Sequence, residues 1–253
     1  MTQITIKDLK CNWKKYNSSD FSAFSDRDNA TLLFKLKFED HISHINQLIS
    51  VLNPEELERA SHYHRLVDEN RFIISRAYLK LLLAKFSGLE PRKLVFDKRK
   101  NHKPFLSNNP SITFNISHTT AFGLIAVGIK ELGVDIEFID KTYEYQLVMP
   151  RILNETEIGL VSDSPLPIKT FFQYWTRKEA LVKASGLGIN DLIINVPAQI
   201  GNHTVPQPVL DRLGDMKVLT FDVGEDHIGS LAYSPSKIGV DNIHFYHIDY
   251  PFG

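Results

Sequence analysis

Hydrophobic residues recur at helical spacing in two stretches of the chain, residues 71–87 and residues 169–185. Each stretch ends in Ser-Gly-Leu, in which a glycine supplies the left-handed residue that commonly terminates a helix. The pattern therefore predicts two long helices that stop at Gly88 and Gly186. The apolar positions are Phe72, Ile73, Leu79, Leu82 and Leu83 in the first stretch and Phe171, Phe172, Trp175, Leu181 and Val182 in the second.

Strand-like segments follow both predicted helices in the same order. Segments 94–96, 112–116 and 123–127 follow the first helix, and segments 192–196, 218–223 and 229–233 follow the second. A repeated order of elements predicts an α+β fold of two pseudo-symmetric halves. Ordinary helix-strand-strand units that coincide by chance would give the same order. We place the halves at residues 1–130 and 131–253, with the active site at their junction.

Two further helix starts have capping signals. Asn53 precedes Pro54, a residue favoured in the first turn of a helix. Asn154 is followed three residues later by Glu157, the spacing of a capping box. We predict a helix after each asparagine, and a loop at residues 162–167 before the second long helix.

Composition narrows the classes of protein that the chain can be. The chain has 253 residues, enough for one large domain or two halves, and 43% of them are hydrophobic. A formal net charge of -1 argues against a nucleic-acid-binding protein. The basic run at residues 92–93 and 98–103 is either a solvated loop or a phosphate-contact loop.

Cysteine and hydropathy suggest a compartment. Cys11 is the only cysteine, so an intramolecular disulfide and a metal-thiolate site are both excluded, and a reducing cytoplasm is expected. The N-terminus has no apolar core of a signal peptide, and no run of eighteen apolar residues occurs. We expect a cytoplasmic protein without export and without a membrane span.

Acids and a lysine form the candidate chemistry. In segment 133–137 apolar residues alternate with acids, so Asp135 and Glu137 share one face of a strand. In segment 175–183, Glu179 and Lys183 lie four residues apart on one face of a helix. If the two faces meet, three carboxylates and an ammonium surround a point suited to a divalent cation and a phosphate. Alternatively, the acids are a solvated strand end and the helical pair is an ordinary surface ion pair.

Together these segments resemble the signatures of a known family. Gly-Val-Asp-Ile-Glu at 133–137 and Trp-Thr-Arg-Lys-Glu-Ala-Leu-Val-Lys at 175–183 are similar to motifs of the 4'-phosphopantetheinyl transferases, specifically the surfactin-synthetase-activating (Sfp) type. Segments 69–71, 103–104 and 114–118 match further family motifs in the same order. The resemblance covers about residues 53 to 197 and implies the two-half fold of that family.

The resemblance implies an activity and a metal. The reaction would move the 4'-phosphopantetheine arm of coenzyme A to a serine of an apo acyl or peptidyl carrier protein, with release of adenosine 3',5'-bisphosphate. Such carriers serve fatty acid, polyketide and non-ribosomal peptide biosynthesis. Asp135, Glu137 and Glu179 are implied as ligands of Mg²⁺ or Mn²⁺, with Glu179, Lys183 and Glu137 as catalytic residues and Lys183 on the pyrophosphate.

The resemblance also implies a site for the nucleotide of coenzyme A. Arg71, Ser117 and His118 would hold the 3'-phosphate, and Lys103 with Pro104 would border the nucleotide. Each has another interpretation: Arg71 as a surface residue, Ser117 as a turn former, His118 as a buried histidine with its hydrogen bonds satisfied, and the Lys-Pro pair as an ordinary turn.

The general base stays open, and two other classes of protein compete. The base is a metal-bound hydroxide, a water relay, or the carboxylate of Glu137, Glu179 or Glu157. A metal-dependent nuclease or phosphodiesterase also uses acids with a lysine, but two residues apart on a strand rather than four apart on a helix. A non-catalytic carrier-binding module would have lost a ligand, whereas all are present. We expect a monomer with a single active site and no nucleic-acid partner.

Overall fold

Two sheets and the helices that cover them make up the fold of the computed structural model, which describes residues 11–16, 30–99, 102–186, 191–199, 201–204, 215–235 and 242–249. Residues 1–10, residues 100–101 of the basic run and Leu187 of the second Ser-Gly-Leu lie outside the described residues. The helices are α1 (Ile45–Ile49), α2 (Pro54–Ser61), α3 (Leu66–Ser87), α4 (Tyr145–Ile152), α5 (Glu155–Ser162) and α6 (Pro167–Ser185).

The strands form two larger sheets and one hairpin. They are β1 (Lys14–Lys15), β2 (Ala30–Lys37), β3 (Phe96–Lys98), β4 (Pro104–Leu106), β5 (Thr113–His118), β6 (Phe122–Gly128), β7 (Leu132–Phe138), β8 (Gly201–Thr204), β9 (Asp215–Gly224), β10 (His227–Tyr233) and β11 (Asn242–Ile248). The first sheet has the order β1-β11-β2-β6-β5, the second has the order β7-β10-β9-β8, and β3 pairs with β4.

The predicted helix ends agree closely with the structure. Gly88 and Gly186 follow α3 and α6 with φ values of 70° and 75°, the left-handed conformation that glycine adopts without strain. Asn53 and Asn154 each cap a helix through a complete capping box, in which the asparagine side chain and the third helical residue satisfy each other's backbone amides. Helix α3 begins at Leu66, five residues before the start that periodicity predicts.

The sheet topology confirms the predicted repeat for the long helix and the last two strand segments of each half. In the first half, β2 precedes α3 and the antiparallel pair β5-β6 follows it, with the order β2-β6-β5. In the second half, β7 precedes α6 and the antiparallel pair β9-β10 follows it, with the order β7-β10-β9. Both halves therefore connect a strand, a long helix and an antiparallel strand pair in the same order. This is the mixed α+β architecture that the sequence predicts.

One predicted strand is wrong, because a buried cation from α6 binds its carbonyls. Residues 192–196 lie mostly in a 3-10 turn, Asp191–Asn195. The buried ammonium of Lys178 donates to the carbonyls of Ile193, Ile194 and Val196. These carbonyls point at one cation, so they are not arranged along the edge of a sheet.

The C-terminal strand crosses between the halves. β11 pairs in parallel with β2, which places residues 242–248 in the first sheet. His41, fully buried, donates from Nε2 to the carbonyl of Ile248 and accepts from the Tyr78 hydroxyl at Nδ1, because a carbonyl can only accept. The division of the chain into halves at residue 130 stays a prediction. β11 follows residue 130 in the chain but belongs to the sheet of the first half. No helix in the described ranges is long and apolar enough to cross a membrane.

Candidate active site

The acid-rich strand and the acid-lysine helix meet at Gly133. A Cβ atom added to this glycine would lie 2.2 Å from the carbonyl oxygen of Ala180 and 2.4 Å from the amide nitrogen of Ala184. Only a residue without a side chain lets the backbone of α6 approach β7 this closely. The glycine of the Gly-Val-Asp-Ile-Glu segment therefore brings Glu179 and Lys183 beside Asp135.

Side chains from two other elements converge on Asp135 of β7, which is 3% exposed. The ammonium of Lys183 in α6 lies 2.6 Å from Asp135 Oδ1 and donates to Ser117 Oγ at 2.9 Å. Ser117, in β5 of the first half, donates in turn to Asp135 Oδ1 at 3.0 Å. Ser117 thus lies in a strand at the junction of the halves, and its interpretation as a turn former is wrong.

Two carboxylate oxygens at this point are buried without a hydrogen-bond partner among the described residues. They are Oδ2 of Asp135 and Oε1 of Glu179. A buried acceptor without a donor costs about 1–3 kcal/mol. Acceptor atoms of this kind are what a hard cation such as Mg²⁺ binds, so the donor set fits the metal that the family implies.

The three acids influence one another electrostatically. Burial raises the pKa of Glu137 to about 7, with further contributions from Asp135 and Glu179, against the opposite effect of Lys183. Burial and the charge of Asp135 likewise raise the pKa of Glu179 to about 7. Within the described ranges, however, no three His, Cys, Asp or Glu side chains are oriented to hold a metal together. In this arrangement Lys183 neutralises Asp135, and ligation by all three acids requires their side chains to reorient.

Trp175 contributes to the site although its pattern indicates a core residue. Glu137 accepts a hydrogen bond from Trp175, whose indole can only donate. Both residues line a cavity of about 220 Å³ at the open side of the site. The remaining lining residues are Phe138, Asp140, Tyr143 and Phe172. The tryptophan at the start of the helical motif therefore orients a carboxylate. Helical periodicity alone assigns this residue to the core, whereas its place in the motif indicates a role in the site.

Cationic groups lie on the side of the first half. His118, at the end of β5, is exposed to solvent, so its interpretation as a buried histidine is wrong. Surrounding atoms still desolvate its ring, and this effect, with the charges of Arg71 and Lys183, lowers its pKa. Arg71 in α3 pairs with Asp68 and donates to the carbonyl of Val67. The charges of Arg71 and Lys183 both act on the His118 ring, so the three side chains lie in one electrostatic neighbourhood.

Comparison with known proteins identifies the family. The 4'-phosphopantetheinyl transferase superfamily matches residues 131–234, and the family described as 4'-phosphopantetheinyl transferase, N-terminal, matches residues 37–130. The chain is 31% identical over 166 residues to the 4'-phosphopantetheinyl transferase HetI of a Nostoc species, a match that covers 63% of this chain and 70% of that protein. The chain belongs to the 4'-phosphopantetheinyl transferase superfamily.

Two other relatives of this transferase match a smaller share of the chain, and one of them is also less similar in sequence. It is 32% identical over 146 residues to the putative 4'-phosphopantetheinyl transferase slr0495 of a Synechocystis species, covering 56% of this chain and 59% of that protein. It is 24% identical over 147 residues to the 4'-phosphopantetheinyl transferase Sfp of Bacillus subtilis, covering 57% and 64%. These two matches span less than two thirds of the relatives' length.

Lys103 of the transferase is engaged within the protein. Its ammonium donates to Oε2 of Glu131 at 3.0 Å and to the carbonyls of Leu132 at 3.0 Å and Ala184 at 2.7 Å. An ammonium has three donors, and all three are used. All three donors of Lys103 are therefore engaged within the protein, and its place beside the nucleotide stays a prediction. The prediction that Pro104, half-buried in β4, borders the nucleotide stays a prediction.

Glu157 is removed from the candidate bases by its contacts. Its Oε2 accepts from the amide of Asn154 at 3.0 Å and lies 2.9 Å from the ammonium of Lys178. Its carboxylate is 3% exposed and holds the start of α5 against α6. The alternative interpretation of Glu157 as a helix-capping acid is confirmed.

The basic pair in the middle of the helical motif has a structural role that the sequence does not indicate. Arg177 is fully buried and donates to the carbonyls of Ala198 and Gln199 and to the hydroxyl of Thr220. Together with Lys178, it fastens the segment 191–199 to α6. Arginine and lysine are rarely fully buried, so composition and periodicity favour a solvated position for both.

Proposed function

We propose that this transferase moves the 4'-phosphopantetheine arm of coenzyme A to a serine hydroxyl of an apo carrier protein, with adenosine 3',5'-bisphosphate as the second product. The names of its relatives and the family match support the reaction class. The one observation that carries the site is the Lys183-Asp135-Ser117 contact, beside which Asp135 Oδ2 and Glu179 Oε1 have no partner among the described residues.

Asp135, Glu137 and Glu179 are the residues that would hold Mg²⁺ or Mn²⁺. When bound, the cation neutralises part of the charge on the pyrophosphate of coenzyme A. Two orphaned carboxylate oxygens and the raised pKa values of Glu137 and Glu179 support this assignment, because a cation would satisfy the oxygens and stabilise the ionised carboxylates.

Positioning and charge account for the catalytic work of the remaining residues. Lys183 uses two of its three donors on Ser117 and Asp135, which leaves one for the pyrophosphate. Arg71 and His118 provide donors on the side of the first half, where the 3'-phosphate would lie. Phosphoryl transfer needs little covalent chemistry from a protein, so these contacts orient the reacting phosphorus and stabilise the leaving group.

Glu137 is our candidate for the base that accepts the proton of the carrier serine. It is half-buried and lines the cavity at the open side of the site, whereas Glu179 is buried and does not line that cavity. A serine delivered by a large partner would reach the carboxylate that lines the cavity first. The hydrogen bond from Trp175 holds this carboxylate in one orientation.

The rival assignment to a nuclease or phosphodiesterase has no support here. Its acid and lysine belong two residues apart on a strand, but Glu179 and Lys183 lie one turn apart on α6. A non-catalytic module is disfavoured because every acid of the site is present and placed at the junction of the halves.

The experiment is incubation of the purified chain with coenzyme A, Mg²⁺ and a panel of apo carriers, followed by the intact mass of each carrier. We expect a gain of one phosphopantetheine group on at least one carrier and no gain in the presence of a chelator. A panel that stays unmodified with an intact, metal-loaded enzyme would refute the function. Ser→Ala carriers are the matched control.

We further propose that the enzyme acts as a monomer in the cytoplasm. Both sides of the site come from one chain, since Ser117 and Asp135 lie in different halves. Sedimentation at assay concentration tests the first point, and an obligate trimer would contradict it. Cell fractionation tests the second.

A further inference from the structure

One edge of β7 is bonded by side chains rather than by a strand. Among the strands that the structure describes, β7 is the outer strand of its sheet and pairs only with β10. On its other edge, the amide of Val134 donates to Oδ1 of Asn115 at 2.8 Å, and the carbonyl of Leu132 accepts from Lys103 at 3.0 Å. Both side chains come from the first half and are buried. They satisfy backbone groups that would otherwise be buried without partners.

Lys103 also holds the end of α6. Its third donor reaches the carbonyl of Ala184 at 2.7 Å, in the last turn of the helix. The last four carbonyls of a helix lack an intrahelical donor, and a cation near them is favourable. The negative charge that such a buried ammonium requires comes from Glu131, 3.0 Å away.

These bonds surround the point of closest approach between helix and strand. Gly133 follows Leu132, and its missing Cβ is what allows the backbone at Ala184 to approach. Ala184 directly follows Lys183, whose ammonium contacts Asp135 two residues beyond Gly133. One lysine therefore fixes both backbones, each a short distance along the chain from the catalytic contact.

We propose that Lys103 is a positioning residue of the transfer reaction, which acts by locking the end of α6 to the start of β7 and so setting the Lys183-Asp135 contact. The proposal rests on the proposed function for its kinetic consequence. It differs from the expectation drawn from the family resemblance, in which this lysine borders the nucleotide.

Two variants separate the lock from the ion pair. Lys103→Met keeps the length of the side chain and removes all three bonds. Arg99→Met is the matched control, because Arg99 donates to the same carboxylate, Glu131, at 2.7 Å, and makes no hydrogen bond to α6 or β7 within the described part of the chain. Lys103→Met leaves the charge of Glu131 unpaired, which could prevent folding. In that case the double variant Lys103→Met/Glu131→Gln, which removes both charges, is used in place of the single variant.

The kinetic readout is the split between kcat and KM. For Lys103→Met we expect kcat to fall about tenfold to a hundredfold, because a misplacement of about 1 Å has such effects. The KM for coenzyme A and the preference for coenzyme A over dephospho-coenzyme A should stay within about twofold, and Arg99→Met should resemble the wild type. A raised KM with unchanged kcat would instead indicate a direct nucleotide contact and overturn the proposal.

Hydrogen exchange gives a readout that does not depend on activity. In Lys103→Met, amides of residues 132–138 and 180–186 should exchange faster than in the wild type and in Arg99→Met, as expected for local opening. Unchanged exchange and unchanged kcat in a folded variant would reject the lock. If the wild type modifies no carrier, the proposed function fails while the exchange comparison still decides whether the lock exists.

Discussion

Replacement of Gly133 by alanine should damage both stability and catalysis, because the added methyl group meets backbone atoms. The Cβ would lie 2.2 Å from the Ala180 carbonyl oxygen, and ordinary contact begins at 3.4 Å. β7 and α6 must therefore separate by about 1.2 Å. Overpacking costs typically about 1–3 kcal/mol, and we expect the upper end because neither neighbour is a flexible side chain.

The same separation would move Lys183 away from Asp135, which are now 2.6 Å apart. A displacement of about 1 Å in a site that works by positioning can lower the rate about a hundredfold. We expect Gly133→Ala to unfold at a lower denaturant concentration and to transfer phosphopantetheine at a greatly reduced kcat, measured at a temperature where the variant is still folded.

Gly159→Ala is the matched control. Gly159 lies within α5, and nothing lies within 4 Å of an added Cβ. Alanine in a helix is favoured over glycine by up to about 1 kcal/mol, so this variant should be equally active and slightly more stable. If Gly133→Ala kept the stability and kcat of the wild type, the close approach would not be what sets the site.

The remaining predictions concern the metal, the nucleotide and a buried ion pair. Activity should vanish with chelator and return with Mg²⁺ or Mn²⁺. Glu179→Gln should lose most turnover while its thermal unfolding changes little; a fully active variant would exclude Glu179 as a metal ligand. Arg71→Ala and His118→Ala should each erase much of the preference for coenzyme A over dephospho-coenzyme A, since a charge-assisted bond contributes about 1.5–3 kcal/mol; an unchanged ratio would exclude that residue. Burial alone would raise the pKa of Glu56, but hydrogen bonds from Lys80 and neighbouring donors outweigh it and lower the pKa below its ordinary value of 4.5. The stability this carboxylate provides is therefore present above pH 4.5 and lost as the pH falls through its lowered pKa. Glu56→Gln should be less stable than the wild type near neutrality, and the difference in unfolding free energy should shrink in acid; a difference that does not depend on pH would contradict this.

Local signals in the sequence predict the local parts of the fold well. Helix ends at Gly88 and Gly186 and caps at Asn53 and Asn154 depend on residues within one turn, so their chemistry is visible in a short window. The pairing of Asp135 with Lys183 depends on two motifs whose meeting is a tertiary event. Each motif predicts which side chains share one face of its own strand or helix. Only the family resemblance implies that the two faces meet.

Long-range and buried polar contacts leave little trace in the sequence. No local pattern indicates that β11 returns to pair with β2 of the first half, because parallel pairing between distant segments is set by the whole fold. Lys103, Arg177 and Lys178 look like solvated or ligand-binding cations, yet each ends at backbone carbonyls inside the protein. The 3-10 turn at Asp191–Asn195 follows from one of these buried cations, so the error at 192–196 has the same origin.

The most direct test of the account measures both products in one reaction. The chain is incubated with coenzyme A, Mg²⁺ and an accepted apo carrier, and the intact mass of the carrier and the amount of adenosine 3',5'-bisphosphate are followed together. We predict that modified carrier and nucleotide appear in equal amounts and that neither appears with a Ser→Ala carrier. Nucleotide released without modification of the carrier would show a hydrolase instead and contradict the central claim.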